Sequence, residues 1–188
     1  NDWIERGFEA PRVAINLSAR QLANPSMVDT FSEIIADSRV PRGCIEFEIT
    51  ESTIMERPDE MIGMLGRLKG LGTRLAVDDF GTGYSSLGYL KRFPLDYIKI
   101  DRAFVSDVIE NRIDADIVRT IIALAQALEV RVIAEGVETP QQRQFLKDHN
   151  CHYAQGFLLS RPVPAPEVEQ RFLRRVETAN LLSFPKTL

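Results

Sequence analysis

Six short apolar segments, each followed by a helical pattern, constrain this chain more than any other feature in it. They span residues 12–17, 44–50, 74–80, 97–101, 131–137 and 153–159, β-branched or apolar on both faces as buried parallel strands should be. Between them Val28, Phe31, Ile34 and Ile35 share a helical face after Asn24-Pro25, which reads as a cap and first-turn proline. Met61, Leu65 and Leu68 repeat after Pro58, with Gly72 as a stop, and Ile117, Ile121, Leu124 and Leu128 form a further stripe. Thr139-Pro140 caps a helix carrying Phe145 and Leu146, and Val168, Phe172 and Val176 mark a last one. A short helix runs from Ser85 to Phe93 and ends at Pro94. Alternating strands and helices imply a parallel α/β sheet with right-handed crossovers. Two architectures compete, an open doubly wound sheet and a (β/α) barrel. No G-x-G-x-x-G turn follows the first strand, which weakens the dinucleotide-binding version. A barrel of this kind has eight strands, and the sequence offers six.

Composition narrows the class of protein. At 188 residues, 44% hydrophobic and 27% charged, the chain can bury one substantial core and has no apolar run long enough to cross a bilayer. It opens on mixed polar residues with no signal-peptide pattern and no leading Met, and so reads as an excised piece of a cytoplasmic protein. A net charge of −4 without a basic stripe argues against duplex DNA or RNA as a partner. Cys44 and Cys151 lack metal-ligand spacing and read as reduced core thiols.

Chemistry gathers at the C-terminal ends of the expected strands. Asn16 closes the first, Glu46, Glu48 and Glu51 the second, Asp78-Asp79 the third, Lys99 and Asp101 the fourth, Glu135 and Glu138 the fifth, and Gln155 lies in the sixth. Such groups at successive strand ends describe one ring around a barrel mouth. Glu48, Asp78, Asp79 and Glu135 are hard oxygen donors, Asn16 adds a carbonyl, and no His or Cys joins them, which favours Mg2+ or Mn2+ over Zn2+. Adjacent Asp78 and Asp79 cannot both point inward from an ideal strand, but a strand end already turning would let both reach metals, one bridging. Two ions ~3.5–4 Å apart suit in-line phosphoryl displacement, so the residues point to metal-dependent phosphoester hydrolysis.

Each residue alone has a plainer reading. Asp78-Asp79-Gly81 suits a strand-ending turn, Lys99 with Asp101 a structural ion pair, and Glu138 a loop acid near a helix start. Glu46 and Glu48 share a strand face, so at least one needs a partner. His149 and His152 read as solvated, and Arg174-Arg175 as a charged helix face.

The segments Asn16-Leu17-Ser18-Ala19-Arg20-Gln21-Leu22, Glu48-Ile49-Thr50-Glu51-Ser52, Asp78-Asp79-Phe80-Gly81-Thr82-Gly83-Tyr84-Ser85-Ser86-Leu87, Lys99-Ile100-Asp101, Ala134-Glu135-Gly136-Val137-Glu138-Thr139 and Gln155-Gly156-Phe157 together resemble, in order, the motifs of EAL domains. The resemblance implies a TIM-like (β/α) barrel over residues 1–177, followed by a tail over 178–188 that leaves the motifs. It implies hydrolysis of cyclic di-GMP to linear pGpG by a water activated between two metal ions. Asn16, Glu48 and Asp78 match ligands of the first ion, and Asp78, Asp79 and Glu135 those around the second. Lys99 matches the lysine that orients the attacking water, Glu51 the glutamate that holds the loop after Asp79, Asp101 and Glu138 acids behind the ligands, and Gln155 a glutamine lining the substrate site. Residues 80–93 match a dimerisation region, which implies a homodimer. Sensory or GGDEF domains commonly sit beside such domains, which allows a membrane-anchored parent.

The Glu-Ala-Leu motif that names the family, and an Arg after it, are absent from this chain. The segment that carries them should hold two strands, matching the deficit of six against eight. Two other functions therefore stand beside an active phosphodiesterase. One is a receptor or interaction module that binds cyclic di-GMP or a protein without cutting; the other is a barrel enzyme acting on a different phosphoester.

Overall fold

The computed structural model describes residues 1–83 and 86–174. Its strands are β1 Val13–Asn16, β2 Ile45–Thr50, β3 Arg74–Phe80, β4 Tyr97–Ile100, β5 Arg131–Ala134 and β6 Tyr153–Ala154. They form one parallel sheet in sequence order, half of a barrel wall. The helices are α1 Asp2–Glu5, α2 Ala19–Leu22, α3 Met27–Ala36, α4 Glu51–Glu56, α5 Pro58–Gly70, α6 Leu87–Leu90, α7 Arg102–Ser106, α8 Arg112–Ala127, α9 Pro140–Asp148 and α10 Ala165–Phe172. None of the described helices is long and apolar enough to cross a membrane.

Strand alternation sets the two faces. Phe47, Ile49, Leu75, Val77, Ile98, Ile100 and Val132 point to the helices and pack with Ile54, Leu65, Leu68, Val118 and Ile122. Each such side chain contributes about 1.5–3 kcal/mol by leaving water. The Phe31 and Phe47 rings stack at 5.0 Å and lock α3 onto β2. Intervening residues face the barrel interior. At its base the Arg12 guanidinium lies 4.6 Å from the Tyr97 ring centroid, bonds the Tyr97 hydroxyl, and approaches Glu46 at 3.4 Å. β1 is an edge strand, so Val13 and Ile15 remain exposed.

The alternation is as the sequence reads, but several bounds move. β6 has two residues rather than the run to 159, because the chain turns at Gly156. A Cβ there would lie 2.2 Å from the Val137 carbonyl oxygen, so only glycine permits this approach. β5 ends at Ala134, before Gly136 enters the left-handed region at φ 69°. Asn24 does not cap α3. Its Oδ1 accepts from Ser26 N and Oγ in a turn that precedes the helix, and Pro25 lies in that turn. Ile34 is exposed rather than core-facing. The fully buried face of α8 is Ala115, Val118, Ile121, Ile122 and Ala125; Ile121 of the expected stripe lies on it, and Ile117, Leu124 and Leu128 are partly buried against the same core. The expected helix over 85–93 is a single turn at α6. Arg174 lies beyond α10, and its carbonyl accepts from Glu9 N. His149 is partly buried, where it accepts a 3.0 Å bond from Arg119 Nε and packs against Phe145. Thr139 caps α9 as expected, and Gln142 reaches back to complete a capping box. Ser85, Arg175, Val176, the tail over 178–188 and the boundary at 177 lie outside the described residues.

Candidate metal centre

At the C-terminal end of the sheet, register does most of the positioning. Asn16 pairs with Glu48 and Thr50 with Asp78, while Ile100 pairs with Ala134, the residue before Glu135. β3 breaks register between Val77 and Phe80, and Asp79 takes the left-handed φ of 53°. This departure lets two consecutive aspartates serve one site, as a regular strand could not. Ligand oxygens of Asp78, Asp79 and Glu135 all lie within 4.8 Å of one another.

Lys99 projects into the same space from β4 and is 3% exposed. Its Nζ lies 2.7 Å from Glu48, 2.8 Å from Glu135 and 3.1 Å from Asp78. Burial by itself would lower the lysine pKa, but hydrogen bonds to Glu135 and Glu48 outweigh it and raise the group above its ordinary range. In the metal-free site these carboxylates hold Lys99 in its ammonium form. Burial raises Glu135, with Asp78 and Glu48 adding to the rise and Lys99 opposing it. Asp79 is raised by burial and by Asp78 and Asp101. A single ammonium leaves this group of carboxylates short of positive charge. The excess, the all-oxygen donor set and the close spacing of three carboxylates fit divalent cations of the Mg2+ or Mn2+ kind.

The supporting residues occupy distinct places. Glu51, the first residue of α4, is 2% exposed, and its Oε2 accepts from Gly81 N at 2.8 Å and Gly83 N at 3.3 Å. It thus holds the loop after Asp79 by its backbone. A side chain at Gly83 would press within 3.1 Å of that carboxylate. Asp101 is the N-cap of α7, accepting from Ala103 N at 2.6 Å, and makes no ion pair with Lys99. Asn16 is exposed at the sheet edge beside Glu48. Gln155 and Glu138 sit apart from the carboxylate group, in a recess that Glu135 shares with Arg102 and Phe157. Arg102 received no role from sequence reasoning. The only signal for it is its place directly after Lys99-Ile100-Asp101.

The EAL domain family model matches residues 1–162. The cyclic di-GMP phosphodiesterase NbdA of Pseudomonas aeruginosa is 46% identical over 186 residues, covering 93% of this chain and 24% of NbdA. MucR of the same organism, named a bifunctional diguanylate cyclase/cyclic di-GMP phosphodiesterase, is 41% identical over 166 residues, 88% of this chain and 24% of MucR. A solved complex of the PaMucR phosphodiesterase with c-di-GMP matches with a TM-score of 0.84 at 41% identity, over 88% of this chain and 67% of that one. The EAL domain of Mycobacterium smegmatis DcpA matches with a TM-score of 0.84 at 40% identity, over 90% and 76%. The chain spans about a quarter of the length of the curated relatives it matches. Motif order, half-barrel topology and these matches lead to one assignment: the chain belongs to the EAL domain family.

Proposed function

We propose that this chain carries the centre of a metal-dependent phosphodiesterase that hydrolyses cyclic di-GMP to linear pGpG. The observation that carries the reading is the buried group in which Lys99 meets Glu48, Asp78 and Glu135 beside Asp79. Asn16, Glu48 and Asp78 would hold one divalent ion and Asp78, Asp79 and Glu135 a second. When bound, such ions supply Lewis acidity toward the phosphoryl oxygens and make a water acidic enough to attack. The side chains do the rest. Lys99, fixed as an ammonium, donates a hydrogen bond that orients the nucleophile or the phosphoryl oxygen. Its three carboxylate contacts hold it aimed into the site. Glu51 keeps the Gly81–Gly83 backbone, and through it Asp79, in the turned conformation. Asp101 anchors the start of α7 behind Asp79, and Gln155 and Glu138 flank Glu135 on the substrate side.

The proposal extends to a homodimer through residues 80–93, a cytoplasmic site of action, and an upstream sensory or GGDEF domain in the whole protein. The names of NbdA and MucR as cyclic di-GMP phosphodiesterases support the substrate. The test is hydrolysis of cyclic di-GMP by the 188-residue chain with Mg2+ or Mn2+. Linear product is expected from the wild type and none from Asp79→Asn. Ligand binding without product would make the chain a receptor instead.

A further inference from the structure

Beneath the metal centre, on the same interior face of the sheet, lies a second layer of side chains. Residues two apart on a strand share a face, one about 6.6 Å below the other. Glu46 thus lies beneath Glu48, Ala76 beneath Asp78, Tyr97 beneath Lys99 and Ile133 beneath Glu135. Ala76, Tyr97 and Ile133 pack together as a small apolar cluster. Arg12, the residue before β1, runs across this layer. Its guanidinium bonds the Tyr97 hydroxyl and lies 4.6 Å from the Tyr97 ring centroid and 5.5 Å from that of Tyr153. Tyr153 is held in turn by Arg131, which donates to its hydroxyl at 2.9 Å, and by the Tyr97 ring, edge to face at 6.0 Å. Glu46 is 2% exposed, and its Oε2 accepts no hydrogen bond from any described residue, which leaves Arg12 Nε, 3.4 Å away, as its ion-pair partner.

These contacts join strands that are not neighbours. In sheet order β1 stands three places from β4 and five from β6. With adjacent strands ~4.8 Å apart, a flat sheet would set β1 about 14 Å from β4 and about 24 Å from β6, too far for one arginine to touch both. Arg12 meets the two rings only while the sheet is curled, and its contacts hold that curl across a chord. The same curl serves the upper layer, where Lys99 on β4 reaches Glu48 two strands away on β2 and Glu135 beyond β5 at once. We infer that Arg12 is a positioning residue for the metal centre: by clasping Glu46, Tyr97 and Tyr153 it fixes the curvature that gathers Glu48, Asp78 and Glu135 around Lys99. The inference rests on the metal-centre reading and not on the identity of the substrate. The clasp needs an arginine, whose flat fork can stack on rings while it bonds a hydroxyl and faces a carboxylate, as a lysine ammonium cannot.

The test is the Mn2+ affinity of the full chain, measured below the unfolding temperature of each variant, with cyclic di-GMP turnover measured separately. Arg12→Met should weaken Mn2+ binding by about tenfold or more, the scale of a lost supporting partner, and lower kcat more than it raises KM. Because Arg12→Met also strands Glu46 as a buried charge, it is read beside the double variant Arg12→Met with Glu46→Gln, which strands none; the loss of affinity should persist there. Arg12→Lys, which keeps the charge beside Glu46 but not the ring contacts, should restore part of the affinity. Asp96→Asn is the stability control: it should lower the unfolding temperature and leave Mn2+ affinity unchanged. Wild-type affinity in the double variant, or an equal loss in Asp96→Asn, overturns the inference and leaves the metal centre standing. A wild type that binds no Mn2+ sinks the metal-centre reading, and the inference with it. An Arg12-dependent Mn2+ affinity in a chain that cuts no cyclic di-GMP upholds the inference and overturns only the phosphodiesterase reading.

Discussion

The two ends of the sheet use the same ingredients to opposite effect. At the N-terminal end, Asp96 accepts from Lys69, from Arg74 at 2.8 Å and from Leu75 N at 2.9 Å, one carboxylate among two cations and a backbone donor. Burial alone would raise that carboxyl, but the hydrogen bonds from Lys69 and Arg74 bring it below its ordinary range. At the C-terminal end one cation, Lys99, stands among an excess of carboxylates, and Asp79 and Glu135 are both raised. A cluster built for stability satisfies its charges internally, whereas this one leaves carboxylates in excess that a cation from outside the chain would offset. That contrast, more than the identity of any residue, marks the upper end as the site.

The largest test of the contrast removes one carboxylate from each end. Asp78→Asn should lower cyclic di-GMP turnover by about a thousandfold or more, the several kcal/mol that metal-held charge stabilisation supplies, with little loss of thermal stability. A variant that retains a tenth of wild-type turnover would show that Asp78 is not a ligand. Glu51→Gln comes next. It keeps the shape but weakens the acceptor for Gly81 and Gly83, and should reduce Mn2+ affinity by about 10–100-fold. Unchanged Mn2+ affinity would leave Glu51 with a purely structural role.

How much of this was legible in the sequence follows from what each residue depends on. The central strands β2 to β5 were readable because they are largely buried, and their apolar runs need no partner to be recognised. The ring was readable because ionisable groups at strand ends are costly without a use, so Glu48, Asp78, Asp79, Lys99 and Glu135 stood out together. Positions fixed by backbone approach were not readable. The two-residue β6 depends on Gly156 lying against Val137, a contact between segments far apart in sequence. Arg102 carried no signal of its own, because its place beside Glu138 and Gln155 depends on the close approach of Gly136. The left-handed φ of Asp79 was anticipated only as the need for a turning strand end.

At the lower end, Asp96→Asn should leave turnover nearly intact and cost about 2 kcal/mol of stability, the loss of charge-assisted bonds. The figure is held below that of a fully buried pair because Arg74 is half-exposed and can reach water. Thermal unfolding checks it. A drop in turnover as large as that of Asp78→Asn, at unchanged stability, would erase the distinction between the two ends.

The smallest effect is the sign of the pH dependence, which should differ between the ends. Asp96 has a folded pKa below its unfolded value. Its contribution is present above the ordinary carboxylate range, about pH 4, and is lost as pH falls through the depressed value. Asp79 and Glu135 have folded values above their unfolded ones. Their contribution is present below about pH 4 and is lost as pH rises through the raised values, because the metal-free fold must then hold more charge than Lys99 offsets. In chelator, Glu135→Gln should therefore gain stability relative to wild type as pH rises above that range, whereas Asp96→Asn should lose it. Adding Mg2+ or Mn2+ should reverse only the first difference, since a bound divalent ion stabilises the ionised wild-type site by mass action. If both variants respond alike to pH and metal, the upper cluster is as self-contained as the lower one, and its claim to be a metal centre falls with the comparison.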